Sequence, residues 1–354
     1  MKPLGLVLGF LALCACQLPS NPALNAARVQ AQQTRNQVDR YLCVIEPNGD
    51  QASTVKVMTL GNQQIRAVYL PGLVQNIDAD RAQNKLYLSV RTPGNQPGYD
   101  LYELDVTNLT LNRPLSFSQA GLIPTDFKVK DKQVFVNGRR EGRGTMLSNV
   151  LQQGGWNHIV SDFLPGNLEW SVQANYLQAV QFDEENLIRT TIDVAQRRIV
   201  RTQTFPHGVP FGNNIGLVAP DGEFFYALHQ LQGLVEIYAF DITRQVVNKH
   251  VNNEQAVGIL YGSVISKDGR FLYATIDNRL ERYELLGTTM KRLPPISLKF
   301  KEARYITLSE DQRTLYVTHD GRTSVSRIRI AADNLNYTLD EVAFPGQNNQ
   351  IFVF

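Results

Sequence analysis

"GLVAPDGEFFYALHQLQGLVEIYAFDI" (216–242) and "GSVISKDGRFLYATIDNRLERYELL" (262–286) are two copies of one unit. Each copy reads as a strand, a tight Asp-Gly turn, a second strand with a central tyrosine, a loop and a third alternating strand. A third copy reads "YITLSEDQRTLYVTHDGRTSVSRIRI" (305–330). Earlier copies, which are more diverged, occupy 75–106, 125–151 and a degenerate unit from Leu168 to Phe205.

The aromatic residue of the second strand gives the period of the repeat. The members are Tyr87, Phe135, Tyr226, Tyr273 and Tyr316. They recur at intervals of about 43 to 48 residues, if one diverged copy is allowed between Phe135 and Tyr226. Four short strands in about 40 to 50 residues are typical of a β-propeller blade. A pair of β-sandwiches is the other all-β arrangement, but sandwiches need no constant period. The sequence therefore predicts an all-β propeller of four-stranded blades.

The number of blades follows from the strands that the repeat leaves over. About six units fit between Leu73 and Phe344. Three predicted strands precede them, and the apolar "QIFVF" follows them at 350–354. The three N-terminal strands and the C-terminal strand together make a seventh blade, which the C-terminal strand closes. Pairing of this last strand with the N-terminal strands would cover two exposed sheet edges. A six-bladed ring with a frayed N-terminal sheet is the alternative. The three early strands are "YLCVIE" (41–46), "STVKVMTL" (53–60) and "QIRAVYL" (64–70).

The N-terminal residues have the layout of a secretory leader. Lys2 is followed by a short apolar run that ends at Cys16, too short to span a membrane. The stretch Leu13-Cys14-Ala15-Cys16 resembles the lipobox of bacterial lipoproteins. That resemblance implies cleavage before Cys16 and lipidation of its thiol, and Gln17 in place of aspartate implies the outer membrane or the cell surface. An ordinary secretory leader is the alternative. The predicted organisation is a signal peptide (1–15), a tether (16–40) and a propeller (41–354).

The repeat also resembles the lactonase-like, YVTN-type propellers. The resemblance lies in "LYVTH" (315–319), where histidine replaces the final asparagine of the motif, and in the Asp-Gly turns and tyrosines. It covers most of residues 41–354. This superfamily includes sugar-lactone hydrolases, surface-layer proteins and binding scaffolds, so the resemblance implies a seven-bladed fold and leaves the activity open.

Composition and motifs argue against several functions. The chain has 35 Lys and Arg residues against 33 Asp and Glu residues. It therefore lacks the excess of positive charge that is typical of a nucleic-acid binder. There is no phosphate-binding glycine loop, no HExxH and no GxSxG. We therefore expect no cofactor and no metal site, and the Asp-Gly turns are explained as hairpins rather than calcium ligands. The five histidines have no metal-ligand spacing; they are His158, His207, His229, His250 and His319.

Candidate site residues lie where second strands end. In a propeller these ends share one face with the loops between blades, around the central channel. The predicted ligand- or partner-binding set is Arg91, Asn137, Arg139, Arg140, Arg143, His207, Asn213, His229, Asp277 and His319. It includes a loop with three clustered arginines (137–145), and arginines suit carboxylate or phosphate groups.

Two classes of function fit these features. The first is a lipid-anchored, extracytoplasmic binding or scaffold module, whose envelope protein or anionic ligand docks near Arg139, Arg140 and His207. The second is a lactonase-like hydrolase or lyase, in which His229 or His319 acts as base and Arg91 or Arg139 stabilises an oxyanion. A closed cleft that holds both Arg and His would favour the enzyme. An open face with exposed aromatic side chains would favour binding.

The lipobox resemblance predicts the consequence of one substitution. Cys16→Ser should leave an unprocessed precursor or release the body of the protein to the soluble fraction, because the acceptor thiol is lost. Mass spectrometry and membrane fractionation measure both results. An unchanged mature mass with intact membrane association would contradict the assignment.

Overall fold

The described residues of the computed structural model are 40–94, 98–130, 132–150, 156–161, 167–170, 176–182, 186–206, 213–231, 234–251, 258–345 and 350–353. Within them the strands are β1 (Tyr41–Asn48), β2 (Ala52–Thr59), β3 (Gln64–Leu70), β4 (Leu73–Asp80), β5 (Lys85–Thr92), β6 (Gly98–Asp105), β7 (Leu111–Ser116), β8 (Ile123–Lys130), β9 (Gln133–Arg140), β10 (Arg143–Val150), β11 (Asn157–Ser161), β12 (Asn167–Trp170), β13 (Tyr176–Phe182), β14 (Asn186–Asp193), β15 (Arg198–Pro206), β16 (Asn213–Val218), β17 (Phe224–Leu231), β18 (Leu234–Asp241), β19 (Val246–Val251), β20 (Leu260–Ile265), β21 (Phe271–Ile276), β22 (Arg279–Leu286), β23 (Thr289–Ser297), β24 (Ala303–Leu308), β25 (Thr314–His319), β26 (Ser324–Ile330), β27 (Tyr337–Ala343) and β28 (Gln350–Val353).

These strands form seven antiparallel, four-stranded sheets in the described part of the chain, which confirms the seven-bladed propeller. Blade 1 has the order β28-β1-β2-β3. Blades 2 to 7 take four consecutive strands each, from β4–β7 in blade 2 to β24–β27 in blade 7. The first strand of blades 2 to 7, and β28 in blade 1, is the innermost. A short 3-10 turn (Ser118–Ala120) lies between blades 2 and 3. No helix among the described residues has the length and apolar character needed to cross a membrane.

The predicted ring closure is confirmed by the register of blade 1. Strand β28 pairs antiparallel with β1, with Val353 opposite Leu42 and Gln350 opposite Ile45. Val353 is fully buried, and it belongs to an apolar cluster with Leu42, Tyr316 of blade 7 and their neighbours. The strand therefore completes blade 1 and its packing against blade 7.

The repeated aromatic residue packs between blades. All five members are at most 5% exposed, and each lies in a different apolar cluster. The hydroxyl of Tyr226 in blade 5 also donates to the carbonyl of Gly287 in blade 6 (2.9 Å). Buried Arg282 of blade 6 makes a similar link, because its Nη1 donates to the carbonyl of Asn334 in blade 7 (3.0 Å). Blades 5 and 6 thus each satisfy a buried polar side chain with a carbonyl of the next blade.

The antiparallel topology gives the ring two unlike faces. The turn face carries the turns that join first to second and third to fourth strands. There Asp221 and Asp268 accept the backbone N–H two residues further on, at 2.9 and 3.1 Å, beside left-handed Gly222 and Gly269. The Asp-Gly pairs are thus turns, as expected. The mouth face carries the loops between second and third strands and the loops between blades.

An ion-pair cluster bridges the composite blade on the turn face. Glu310 of blade 7 accepts from both Arg81 of blade 2 and Lys267 of blade 6. The Arg81 guanidinium also lies 5.1 Å from the ring centre of Phe352 in β28. These two cations hold the pKa of Glu310 below its usual value against the opposing effect of burial, which is the larger single influence. Charges from three blades therefore meet where the ring closes.

We expect removal of β28 to destabilise the whole ring. Deletion of residues 350–354 should sharply lower the unfolding temperature, and Ile351→Ala with Val353→Ala should cost at least about 2 kcal/mol because both side chains are buried. Thermal and urea unfolding measure these changes. Tyr69→Ala, at a 62% exposed apolar residue of the same blade, is the matched control. A truncated protein that melts like the parent would show that the ring closes in another way.

Candidate functional site

Irregularities in the innermost strands shape the mouth of the channel. In blades 2, 3, 6 and 7 the pairing of the first strand with the second shifts register near its mouth-face end. A β-bulge bends the strand and redirects a side chain, and bulges are common beside active sites. The bulged residues are Gln75, Thr125, Tyr261 and the pair Arg304–Tyr305.

In blades 3, 6 and 7 a polar residue on the second strand bonds the backbone at or beside the bulge, whereas the Ser89 hydroxyl of blade 2 has no hydrogen-bond partner among the described residues. The polar residue lies two positions after the repeated aromatic residue. Asn137 Oδ1 accepts from the Asp126 N–H (3.1 Å), Thr318 Oγ1 accepts from the Tyr305 N–H (3.2 Å), and Thr275 Oγ1 donates to the Gly262 carbonyl (3.2 Å). Ser89 holds this position in blade 2, whereas blade 5 has Leu228 there and pairs without a shift. Three bulges are therefore associated with a hydrogen bond made by a residue at the same position of the repeat.

The predicted site residues fall at the mouth-face ends of their strands, but they differ in exposure. Arg91, Arg139, Arg140 and Arg143 are exposed, and Asp277 is half-buried. Asn137 is fully buried, where it supports the bulge of blade 3. Asn213 begins β16. His207 and Cys16 lie outside the described residues.

The two histidines considered as bases are buried inside blades. His319 is 0% exposed; its Nε2 lies 2.8 Å from Ser326 Oγ, and its ring meets Phe300 edge-on at 5.4 Å. Burial lowers the pKa of His319 to about 4. His229 is 1% exposed and stands opposite Glu236 in the β17–β18 pair. A molecule at the mouth thus reaches neither imidazole in this conformation.

Five other residues meet at the mouth between blades 6 and 7: Tyr261, Asp277, Glu302, Arg304 and Asp320, here called the mouth cluster. Arg304 Nη2 donates to Asp320 Oδ2 at 2.7 Å, and the guanidinium lies 5.1 Å from the centre of the Tyr261 ring. Among described acceptors only Asp320 receives a hydrogen bond from Arg304. Both side chains of this ion pair remain about two-fifths exposed. The arrangement holds a guanidinium in place and leaves it open to a ligand.

The backbone fixes the carboxylates of the mouth cluster around this guanidinium. The Ala303 N–H donates to the carbonyl of Asp277 (2.9 Å), and the Asp320 N–H donates to that of Glu302 (3.0 Å). Asp277 Oδ1 accepts from the Ile259 N–H at 2.9 Å. A side chain at Gly258 would collide with the same carboxylate, since its Cβ would lie 2.4 Å from Oδ2. A larger residue at position 258 would therefore have to displace the Asp277 carboxylate.

Electrostatics supports the same grouping. Desolvation by burial raises the pKa of Tyr261, and the nearby carboxylates of Glu302, Asp277 and Asp320 raise it further, against the opposing effect of Arg304. Tyr261 therefore stays a neutral phenol at neutral pH. No group of three or more His, Cys, Asp and Glu residues is arranged to hold a metal ion in the described ranges. Sequence reasoning missed Tyr261, Glu302, Arg304 and Asp320, because it followed second-strand ends and not the bulged first strands.

An open groove elsewhere on the surface is a poor alternative site. It lies between the outer strands β11 and β15 of blades 3 and 4, far from the channel, and its lining includes His158, Arg197 and Ile199. A register shift in the β14–β15 pair places a bulge beside it, at Val200. Bulges and arginines on an outer strand are common devices that protect a sheet edge from pairing with other chains.

Comparison with known proteins gives the fold and no family. No family model matches the chain, and no curated protein matches it either. Among solved structures, the chain is similar to the periplasmic gluconolactonase of Pseudomonas aeruginosa, with 16% identity, a TM-score of 0.61 and coverage of 88% of this chain and 98% of that one.

Two further structures show the same architecture. A protein of Bacteroides uniformis whose proposed activity is 6-phosphogluconolactonase has 10% identity and a TM-score of 0.64, over 90% of this chain and 100% of that one. A hypothetical selenium-binding protein of Sulfolobus tokodaii has 10% identity and a TM-score of 0.67, over 91% and 95% of the two chains. The chain thus shares the β-propeller fold of these proteins. At 10 to 16% sequence identity, structural similarity does not show that this chain shares the activity of these proteins.

The burial of His319 predicts a pH dependence of stability. Its pKa is about 4 in the folded protein against 6.5 for an ordinary histidine, so between these values only the unfolded chain binds the proton. The free energy of unfolding should therefore fall by up to about 3 kcal/mol as pH drops from 6.5 to 4. Glu341 favours the proton and Arg322 opposes it.

Urea unfolding at pH 7 and pH 4.5 measures this effect. His319→Gln should remove most of its contribution, whereas His158→Gln, at an exposed histidine, should keep it. Equal pH dependence in the parent and in His319→Gln would contradict the assignment.

Proposed function

We propose that this protein is a lactonase-like hydrolase that acts at the mouth of its central channel. The observation that carries the proposal is the Arg304–Asp320 ion pair, which a β-bulge presents beside Tyr261 and two further carboxylates. The solved structures of similar fold support it, since they include proteins named as lactonases. The chemistry proposed here uses arginine and carboxylates where the sequence favoured arginine and histidine.

The mouth cluster contains the groups that lactone hydrolysis requires. A water molecule attacks the carbonyl carbon, and a carboxylate, Asp277 or Glu302, takes its proton. The Arg304 guanidinium stabilises the negative charge on the carbonyl oxygen, and Asp320 keeps it in position. The bond between the carbonyl carbon and the ring oxygen then breaks, the proton passes to that oxygen, and a hydroxy acid is released.

A non-catalytic binding module is the second candidate. It is favoured by apolar side chains that stay exposed near the mouth, since Tyr305 is 40% and Ile259 47% exposed. This face is open, as the binding hypothesis expects. In that case the mouth cluster would hold a ligand without turning it over.

Placement in the cell envelope remains part of the proposal. Its support is the leader sequence with Leu13 and Cys16. An envelope protein or an anionic ligand is the partner that this placement would make available.

A pH-stat assay with five- and six-membered lactones, glucono-δ-lactone included, tests the proposal. The parent protein should accelerate hydrolysis above the spontaneous rate. Arg304→Ala should lower kcat/KM by about 100-fold, the usual effect of losing one oxyanion donor. Arg322→Ala removes an equal charge from the same face and should change kcat/KM little.

Two outcomes would contradict the hydrolase. One is a parent protein that accelerates none of these reactions. The other is an Arg304→Ala variant as active as Arg322→Ala. Saturable lactone binding without turnover would select the binding module instead.

A further inference from the structure

A second group of arginines lies on the mouth face, away from the mouth cluster. The β9–β10 hairpin of blade 3 ends in a two-residue turn, Glu141–Gly142, with φ of 50° and 80°. The strands stay paired up to this turn, and Arg140 stands directly opposite Arg143. Side chains that oppose each other across an antiparallel pair share one face, and like charges there destabilise the pair. The hairpin thus places two arginines opposite each other on one face, where their like charges repel.

The packing of blade 3 shows which way this pair points. Side chains alternate between the two faces of a strand. Val136 of β9 and Leu147 of β10 pack in the apolar cluster that blade 3 shares with blade 2. Arg140 and Arg143 each lie four residues from one of them, hence on the same face. Both arginines therefore point toward the seam between blades 2 and 3, whereas Arg139 points toward blade 4.

Blade 2 contributes a third arginine to this seam. Tyr87 of β5 packs in the same apolar cluster, and Arg91, four residues further on, shares its face of the strand. The loop between the two blades passes close by, because a Cβ at Gly121 would lie 4.0 Å from Arg140 Nε. Arg91, Arg140 and Arg143 are here called the arginine seam.

Two arginines of the arginine seam, Arg91 and Arg140, differ from several other arginines in the molecule. Arg304, Arg327 and Arg292 each pair with an Asp or Glu at 2.5 to 2.9 Å. In the described part of the chain, by contrast, no carboxylate lies within ion-pair distance of Arg91 or Arg140. All three seam side chains are exposed. The seam therefore offers clustered positive charge to a molecule from outside.

We propose that the arginine seam binds an oxyanionic ligand with at least two negative charges, supplied by carboxylate or phosphate groups. The planar guanidinium donates two parallel hydrogen bonds to either group, and such charge-assisted bonds are stronger than neutral ones. A bound oxyanion also neutralises the repulsion between Arg140 and Arg143. This site is separate from the mouth cluster and does not depend on the proposed hydrolysis.

Isothermal titration of the full chain at low salt, with pyrophosphate and with citrate as probes, tests the proposal. Low salt is used because ionic contacts on the surface are screened. The parent should bind at least one probe saturably, and the stronger probe identifies phosphate or carboxylate as the preferred group. Arg91→Ala, Arg140→Ala and Arg143→Ala should each weaken binding about tenfold, the loss of one charge-assisted pair.

Arg139→Ala is the matched control. It removes the same charge from the same strand, one residue away but on the opposite face, and it should change the affinity less than twofold. Arg140→Ala should also raise the unfolding temperature of the unliganded protein slightly, since it relieves a like-charge pair. Equal loss of affinity in Arg139→Ala and Arg140→Ala would overturn the proposal, because net charge alone would then explain binding. A parent that binds neither probe would overturn it as well.

Discussion

Strands from opposite ends of the chain complete the ring, because β28 takes the innermost place beside β1 in blade 1. In a closed propeller each blade buries one face against the next, so every interface depends on the continuity of the circle. Tyr316 of blade 7 packs among apolar residues of blade 1, which include Leu42, Val44, Ile351 and Val353. The other six interfaces use the same design with local partners, and blade 1 is the point where the design requires contact between residues about 300 positions apart.

Regular blades alone would give a channel with uniform walls. Bulges break that symmetry in blades 2, 3, 6 and 7, and in three of these a polar residue of the second strand bonds the backbone beside the bulge. Thr275 and Thr318 lie opposite the bulges that carry Tyr261 and Arg304, whereas blade 5 has Leu228 at this position and pairs without a shift. The positions that the copies of the repeat share thus stabilise the fold. The bulges, which differ from blade to blade, place Tyr261 and Arg304 in the mouth cluster.

The sequence predicted the fold far better than the site, for a physical reason. A period, an aromatic residue per blade and unpaired end strands are properties that the chain shows directly, and they led to seven blades and to the closing strand. Which way a side chain points depends on strand parity and bulges. His319 and Arg91 both lie at ends of second strands, yet one packs between blades and the other is exposed. The polar residue two positions after four of the five aromatic residues was visible in the sequence, but its link to a bulge emerges only from the pairing register.

In most blades a turn joins the innermost strand to the second strand. In blade 1 residues 353 and 41 occupy that place, and Arg40 lies beside them, where its carbonyl accepts from the Leu60 N–H. The described chain therefore begins on the turn face, opposite the mouth cluster and the arginine seam. A surface that held the protein close to residue 40 would face the turns. The channel mouth would be directed outward, where molecules that diffuse in from the surroundings meet it first.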